Sequence, residues 1–351
     1  MKKLFSITAI VLLTWLSLCA ACATCNAQSG IWCWTTWRES APALVITNPS
    51  ITGISNAYYW SDLNPAPGKY NWARVDADLN AALKYGKHAA ISVAAASKTP
   101  EWVKSKTKCL YFREYRKDGD GKAYEVILPV PYDSVYIKEW TTFIAELGKH
   151  VAANAKWNTV LTHVSLSGVG ATTCEWRLPQ MVPTREQPDI TNATELWRAA
   201  GYSGDKIIKC FDTFRKAWRT AFPSKALVID IMNDNEFPLG IDTINVNEGI
   251  FANCLATNKP ERYIFKATSL TNNSKGTLII YMQKLGLRTC WQTNQSIYGA
   301  APCNPCNNTS MTDALNIGIS LKVDYIEMQT QAILNYPLPA KNAAIKYQAI
   351  D

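Results

Sequence analysis

Eight short apolar or β-branched runs, at residues 30–35, 51–60, 88–94, 161–168, 226–232, 263–269, 287–292 and 324–330, alternate with longer polar-and-apolar stretches. That alternation is the pattern of βα units laid around a parallel sheet. The intervening stretches 73–85, 135–153, 205–222, 277–284 and 311–322 repeat their apolar residues at three-to-four spacing, so they predict the outer helices, with Gly86, Gly148 and Pro223 as terminators. A doubly wound open sheet gives similar strings. Eight units are the number that closes a (β/α)8 barrel, and the expected fold is one α/β barrel domain over residues 28–351.

Ahead of that domain, Met1-Lys2-Lys3 and an apolar run to Leu18 have the order of a secretory signal, predicted to occupy residues 1–27. Two processing sites compete. Ala20-Ala21 before Cys22 resembles a lipoprotein box, which would attach the chain to a membrane through a lipidated Cys22, while Asn26-Ala27 before Gln28 suits soluble release. Either way the expected location is outside the cytoplasm: secreted, periplasmic or on the outer surface.

Residues 1–27 hold two lysines and no acid, so the formal charge falls from +8 for the whole chain to +6 without them. The basic residues form no dense block, which argues against a nucleic-acid partner. After Cys25 come Cys33, Cys109, Cys174, Cys210, Cys254, Cys290, Cys303 and Cys306, an even number that predicts disulfides in an oxidising compartment. The Cys303–Cys306 spacing has no second pair nearby, and His88, His150 and His163 lack ligand spacing, so no metal is expected. Phosphate loops, dinucleotide fingerprints and serine-hydrolase elbows are absent too, and no cofactor is implied.

In a barrel, chemistry gathers where strands end and βα loops begin. Aromatic residues crowd those ends: Trp32, Trp34 and Trp37 at the first, Tyr58, Tyr59 and Trp60 at the second, Trp102 after the third, Trp176 after the fourth and Trp291 at the seventh. Flat rings suit the C–H faces of sugars, so Trp34, Trp60, Trp102, Trp176 and Trp291, with Asn233 and Gln292 for hydroxyls, are the expected carbohydrate contacts.

Glycosidic cleavage needs two carboxyl groups. Glu175 follows the fourth strand and precedes Trp176, whose indole would desolvate it as a general acid requires; otherwise it pairs with Arg177. Glu327 shares one face of the eighth strand with Tyr325 and Gln329, so it points inward either as a nucleophile or as a lumen acid tied to a lysine or arginine. Asp234 and Glu236 after the fifth strand are alternative second acids.

The run Tyr59-Trp60-Ser61-Asp62-Leu63-Asn64-Pro65-Ala66-Pro67-Gly68-Lys69-Tyr70-Asn71-Trp72 resembles a segment of the TIM-barrel glycoside hydrolases of the β-galactosidase-like and cellulase clan, with Asn64 where an acid often stands. Thr99-Pro100-Glu101-Trp102, and Pro129 to Asp133 with Tyr136 and Trp140, extend the resemblance to about Trp176. It implies an acid/base after the fourth strand, which falls on Glu175 behind Cys174 rather than Asn. It also implies a nucleophile at the end of the seventh strand, where Arg288 to Asn294 offers no carboxylate. Three readings stay open: Glu327 has taken that role, the strand numbering is displaced by one, or the barrel binds sugar without cleaving it.

Overall fold

A computed structural model of the chain describes residues 29–115, 123–170, 173–231, 236–238, 240–293 and 307–349. Eight parallel strands close into a barrel: β1 (Gly30–Trp34), β2 (Gly53–Tyr59), β3 (His88–Ala94), β6 (Leu161–Ser165), β7 (Ala226–Ile231), β8 (Tyr263–Leu270), β9 (Arg288–Thr293) and β10 (Tyr325–Gln329). Each pairs with its neighbour in the chain, and β10 returns to β1 with Trp32 opposite Glu327 and Trp34 opposite Gln329. All eight predicted strand runs are found, and closure settles the choice against an open sheet.

The outer helices also follow the predicted periodicity, at Ala73–Tyr85, Ser134–Ala152, Gly204–Ala221, Thr277–Lys284 and Asn308–Ser320. Their apolar faces and the outward faces of the strands form the main core, where Trp140, Phe143, Phe211, Phe214 and Trp218 are buried. Gly86 ends the first of these helices in the left-handed region at φ 63°. Gly148 corrects an expectation. It lies inside its helix rather than at its end, and a Cβ there would stand 2.7 Å from both the Cβ and the carbonyl oxygen of Ala221, so this glycine lets two helices touch.

Sequence reading missed an antiparallel hairpin, β4 (Cys109–Tyr115) with β5 (Ala123–Pro129), inserted after β3. It also missed helices Ala193–Ala199, Val246–Leu255 and Pro337–Gln348. The hairpin is anchored on the loop after β6: Phe112 packs on Trp197 at 5.3 Å, and the Thr191 hydroxyl accepts from the Arg113 amide at 2.8 Å.

The predicted disulfides are not formed among the described residues. Cys33, Cys109, Cys174, Cys210, Cys254 and Cys290 are all free thiols. The reason is placement: Cys290 faces the lumen, whereas Cys33 and Cys210 lie between barrel and helices, where burial pushes both thiols up to about 12. Cys303 and Cys306, like the predicted signal segment 1–27, lie outside the described residues. No helix among the described residues is long and apolar enough to cross a membrane.

Candidate functional site

The barrel lumen is built in layers by side chains two residues apart on each strand. Its lower layer is aromatic. Trp32 lies 4.6 Å from the His163 ring and 5.5 Å from that of Tyr325, and these last two stack at 5.1 Å. Burial, with Lys266 and Arg288 adding to it, pushes His163 down to about 3, so its ring is neutral and behaves as a packed aromatic.

Two residues further along the same strands, the lumen becomes charged. Lys266 of β8 stands between Glu327 of β10, at 2.9 Å, and Asp230 of β7, at 3.2 Å. The other oxygen of Glu327 accepts from the Ser55 hydroxyl at 2.6 Å, and the Trp34 ring covers the ammonium at 4.3 Å. All three charged groups are buried. One ammonium cannot neutralise two carboxylates. Asp230 yields: burial, the Lys266 charge notwithstanding and with Glu327 and Glu175 adding to it, pushes its carboxyl up to about 7, and its Oδ1 has no hydrogen-bond partner. Burial works against the Lys266 charge, but the carboxyls of Asp230 and Glu327 prevail and raise its pKa.

Above this layer, the segment after β6 lies along β7: the Leu166 amide donates to Val228 and the Trp176 amide to Asp230. The Trp176 side chain turns outward, where it packs 4.8 Å from Phe211 and donates to the Leu166 carbonyl at 2.7 Å. Glu175 and Arg177 flank it in a bent segment, where the Arg177 amide donates back to the Glu175 carbonyl at 3.1 Å, and the Glu175 charge reaches Asp230 in the lumen. Glu175 accepts from Thr173 at 2.6 Å and lies 3.0 Å from the Arg177 guanidinium. Burial opposes the charge of Arg177, but Glu175, Glu114 and Glu236 around it raise its pKa. Glu114 comes from the inserted hairpin and is held by the Tyr124 hydroxyl at 2.8 Å; Glu236 accepts from Gln180 at 2.9 Å.

This arrangement corrects several expectations. Trp176 does not desolvate Glu175; Arg177 is its neighbour instead. Trp60 is fully buried against Trp140 at 4.9 Å, and Trp291 lies on the outward face of β9 with its indole directed at the Thr268 carbonyl at 3.4 Å. These three tryptophans are wall residues, buried in the core between the barrel and its outer helices. Trp102 is half-buried and donates to the Asn64 carbonyl at 3.0 Å. Trp34 does reach the mouth, and Gln292, opposite Glu327 in the register, is half-buried on the lumen side. Asn233 and Asp234 fall outside the described residues.

Asp230, Lys266, Ser55 and Glu114 were missed, while Arg177 was foreseen as the alternative partner of Glu175. A signal for two of them was present: Asp230 and Lys266 each interrupt an apolar strand run, the same cue that marked Glu327. Nothing in the sequence placed the hairpin's Glu114 beside Arg177. Among the described residues no group of acidic, histidine or cysteine side chains could hold a metal ion. The mouth thus offers carboxyls, a guanidinium and an indole within one charge field, a composition able to bind hydroxyl-rich ligands and to move protons.

Neither a scan against protein-family models nor a search of curated proteins gives a match. Solved structures similar to this chain include the catalytic domain of β-amylase from Paenibacillus polymyxa, at 12% identity and a TM-score of 0.61, covering 92% of this chain and 98% of that one. A β-galactosidase from the psychrophilic Marinomonas ef1 aligns at 10% identity and a TM-score of 0.56, covering 92% of this chain and 59% of that one. The β-galactosidase of the Antarctic haloarchaeon Halorubrum lacusprofundi aligns at 10% and 0.54, covering 90% and 57%. This chain therefore spans somewhat under three fifths of either β-galactosidase. At these identities the likeness shows a shared barrel fold.

Proposed function

We propose that the chain is an exported glycoside hydrolase acting on oligo- or polysaccharide, with Glu175 as acid/base. The observation that supports this is that Glu175 follows the fourth barrel strand and is close enough to the lumen for its charge to act on Asp230, which shares Lys266 with Glu327. The similarity in fold to a β-amylase and two β-galactosidases supports a carbohydrate ligand. In the double displacement this reading implies, Glu175 gives its proton to the leaving oxygen as the C–O bond breaks, and Glu327 bonds to the anomeric carbon. Glu175 then takes a proton from the water that displaces Glu327.

One observation favours a second reading, a barrel that binds saccharide without cleaving it. Both oxygens of Glu327 are engaged, by Ser55 and Lys266, as expected of a structural lumen acid. Incubating the wild-type protein with aryl glycosides and with malto-, galacto- and xylo-oligosaccharides separates the two. Released reducing sugar supports the hydrolase; saturable binding without product supports the binding barrel; the absence of both binding and release overturns both readings.

A further inference from the structure

Trp34, which covers Lys266 at the mouth, meets Trp37 edge-on at 5.6 Å, and Trp37 in turn stacks on Tyr59 at 5.1 Å with an interplanar angle of 22°. Three aromatic rings therefore run without a gap from the charged lumen to the β2 side of the rim. Tyr59 is braced by two cations, Arg38 at 4.9 Å and Lys98 at 4.7 Å from its centroid.

Where the aromatic run ends, a cleft of about 530 Å³ opens, lined by Arg38, Tyr59, Ser61, Asp62, Asn71 and Arg74 among others. Arg38 binds Asp62 through two hydrogen bonds, of 2.6 and 2.8 Å, although both side chains are more than a third exposed. Its backbone lies in the left-handed region at φ 68°, a conformation that costs energy for a residue with a side chain and fixes where the guanidinium stands. On the cleft's inner side Arg74 is held in place: its Nη2 donates to the Glu39 and Ala57 carbonyls at 2.6 and 2.8 Å, and its Nε lies 3.5 Å from the Asp78 carboxyl.

A guanidinium and a carboxylate held side by side present donors and acceptors together. That is the pattern vicinal hydroxyls satisfy best, since each hydroxyl both gives and accepts. A single charged ligand group would match only one half of the pair.

We infer that a neutral saccharide chain leaves the mouth along Trp34 and the Trp37–Tyr59 stack and seats an outer sugar unit in the cleft at Arg38 and Asp62. The ligand is then an extended oligosaccharide, bound at sites separate from the carboxyls that act on it. This inference rests on the glycoside reading above.

Binding titrations with malto-, galacto- and xylo-oligosaccharides, from monosaccharide to hexasaccharide, test it without requiring turnover. The wild-type protein should bind at least one hexasaccharide about tenfold more tightly than its monosaccharide, the scale of one or two added hydrogen bonds. The Arg38→Ala/Asp62→Ala variant should lose that gain while keeping monosaccharide affinity and wild-type thermal unfolding; Trp37→Ala should reduce it through the aromatic track. Affinity that does not rise with chain length overturns the inference and leaves the proposed function standing, as does a length dependence that survives both substitutions. If the wild-type protein neither binds nor cleaves any of these sugars, the proposed function falls and the inference falls with it.

Discussion

The lower and upper halves of the lumen are built by the same strands and behave oppositely. Trp32 and Trp34, Val228 and Asp230, Ile264 and Lys266, and Tyr325 and Glu327 are four pairs set two residues apart on one strand face. The first members make a dry plug around a neutral His163, and the second make a charged layer closed by Trp34. A barrel can carry buried charge at its mouth because the layer beneath supplies the apolar packing that the charged layer gives up.

The largest effect is expected from removing the shared cation. Lys266→Met leaves Asp230 and Glu327 buried without a counter-charge and should cost about 3 to 5 kcal/mol. Chemical denaturation monitored by circular dichroism would show it. The triple variant Lys266→Met/Asp230→Asn/Glu327→Gln should recover much of that loss, and failure to recover would mean that packing rather than charge was disturbed.

Breaking the lower layer tests the other half. Trp32→Ala empties a site bounded by His163, Tyr325 and Gly53, whose missing side chain makes room for the indole, and should cost about 3 to 5 kcal/mol. Unlike the loss from Lys266→Met, this one should not be recovered by neutralising Asp230 and Glu327.

Asp230 sharpens the contrast through pH. Below about pH 4 folded and unfolded chains both hold its proton. As pH rises toward 7 the unfolded chain releases it first, so folding stability falls across that window, by on the order of 3 kcal/mol. Asp230→Asn should flatten this part of the wild-type stability profile, measured by denaturation from pH 4 to pH 8; an unchanged slope would contradict the raised carboxyl.

The smallest effect lies outside the lumen. Gly148→Ala sets a methyl against Ala221 and should cost about 1 to 2 kcal/mol after the gain in helix propensity, read as a lower melting temperature.

The barrel was legible in the sequence because its strands are apolar on both faces and short, while its helices repeat at their own period, as in 88–94 followed by 135–153. The hairpin was not. Its strands pack on an excursion of the chain, through Phe112 on Trp197, and no local period announces such a partner. Of the site, Glu175, Glu327, Trp34 and Gln292 could be placed from strand order and alternation. Trp60, Trp176 and Trp291 misled because an aromatic residue at a strand end fits the helix layer as well as the mouth, and only the direction of its side chain separates the two. The influence of the hairpin's Glu114 on Arg177 depends on bringing distant segments together.

The central claim, that Glu175 moves the proton for glycosidic cleavage, is tested most directly by comparing sugar release by the wild-type protein with that by Glu175→Gln on the oligosaccharide that the wild type cleaves fastest. A loss of about 10² to 10⁴-fold, with thermal unfolding unchanged, is the predicted result. Turnover in Glu175→Gln equal to the wild type, or a wild-type protein that releases no sugar from any substrate, would contradict it.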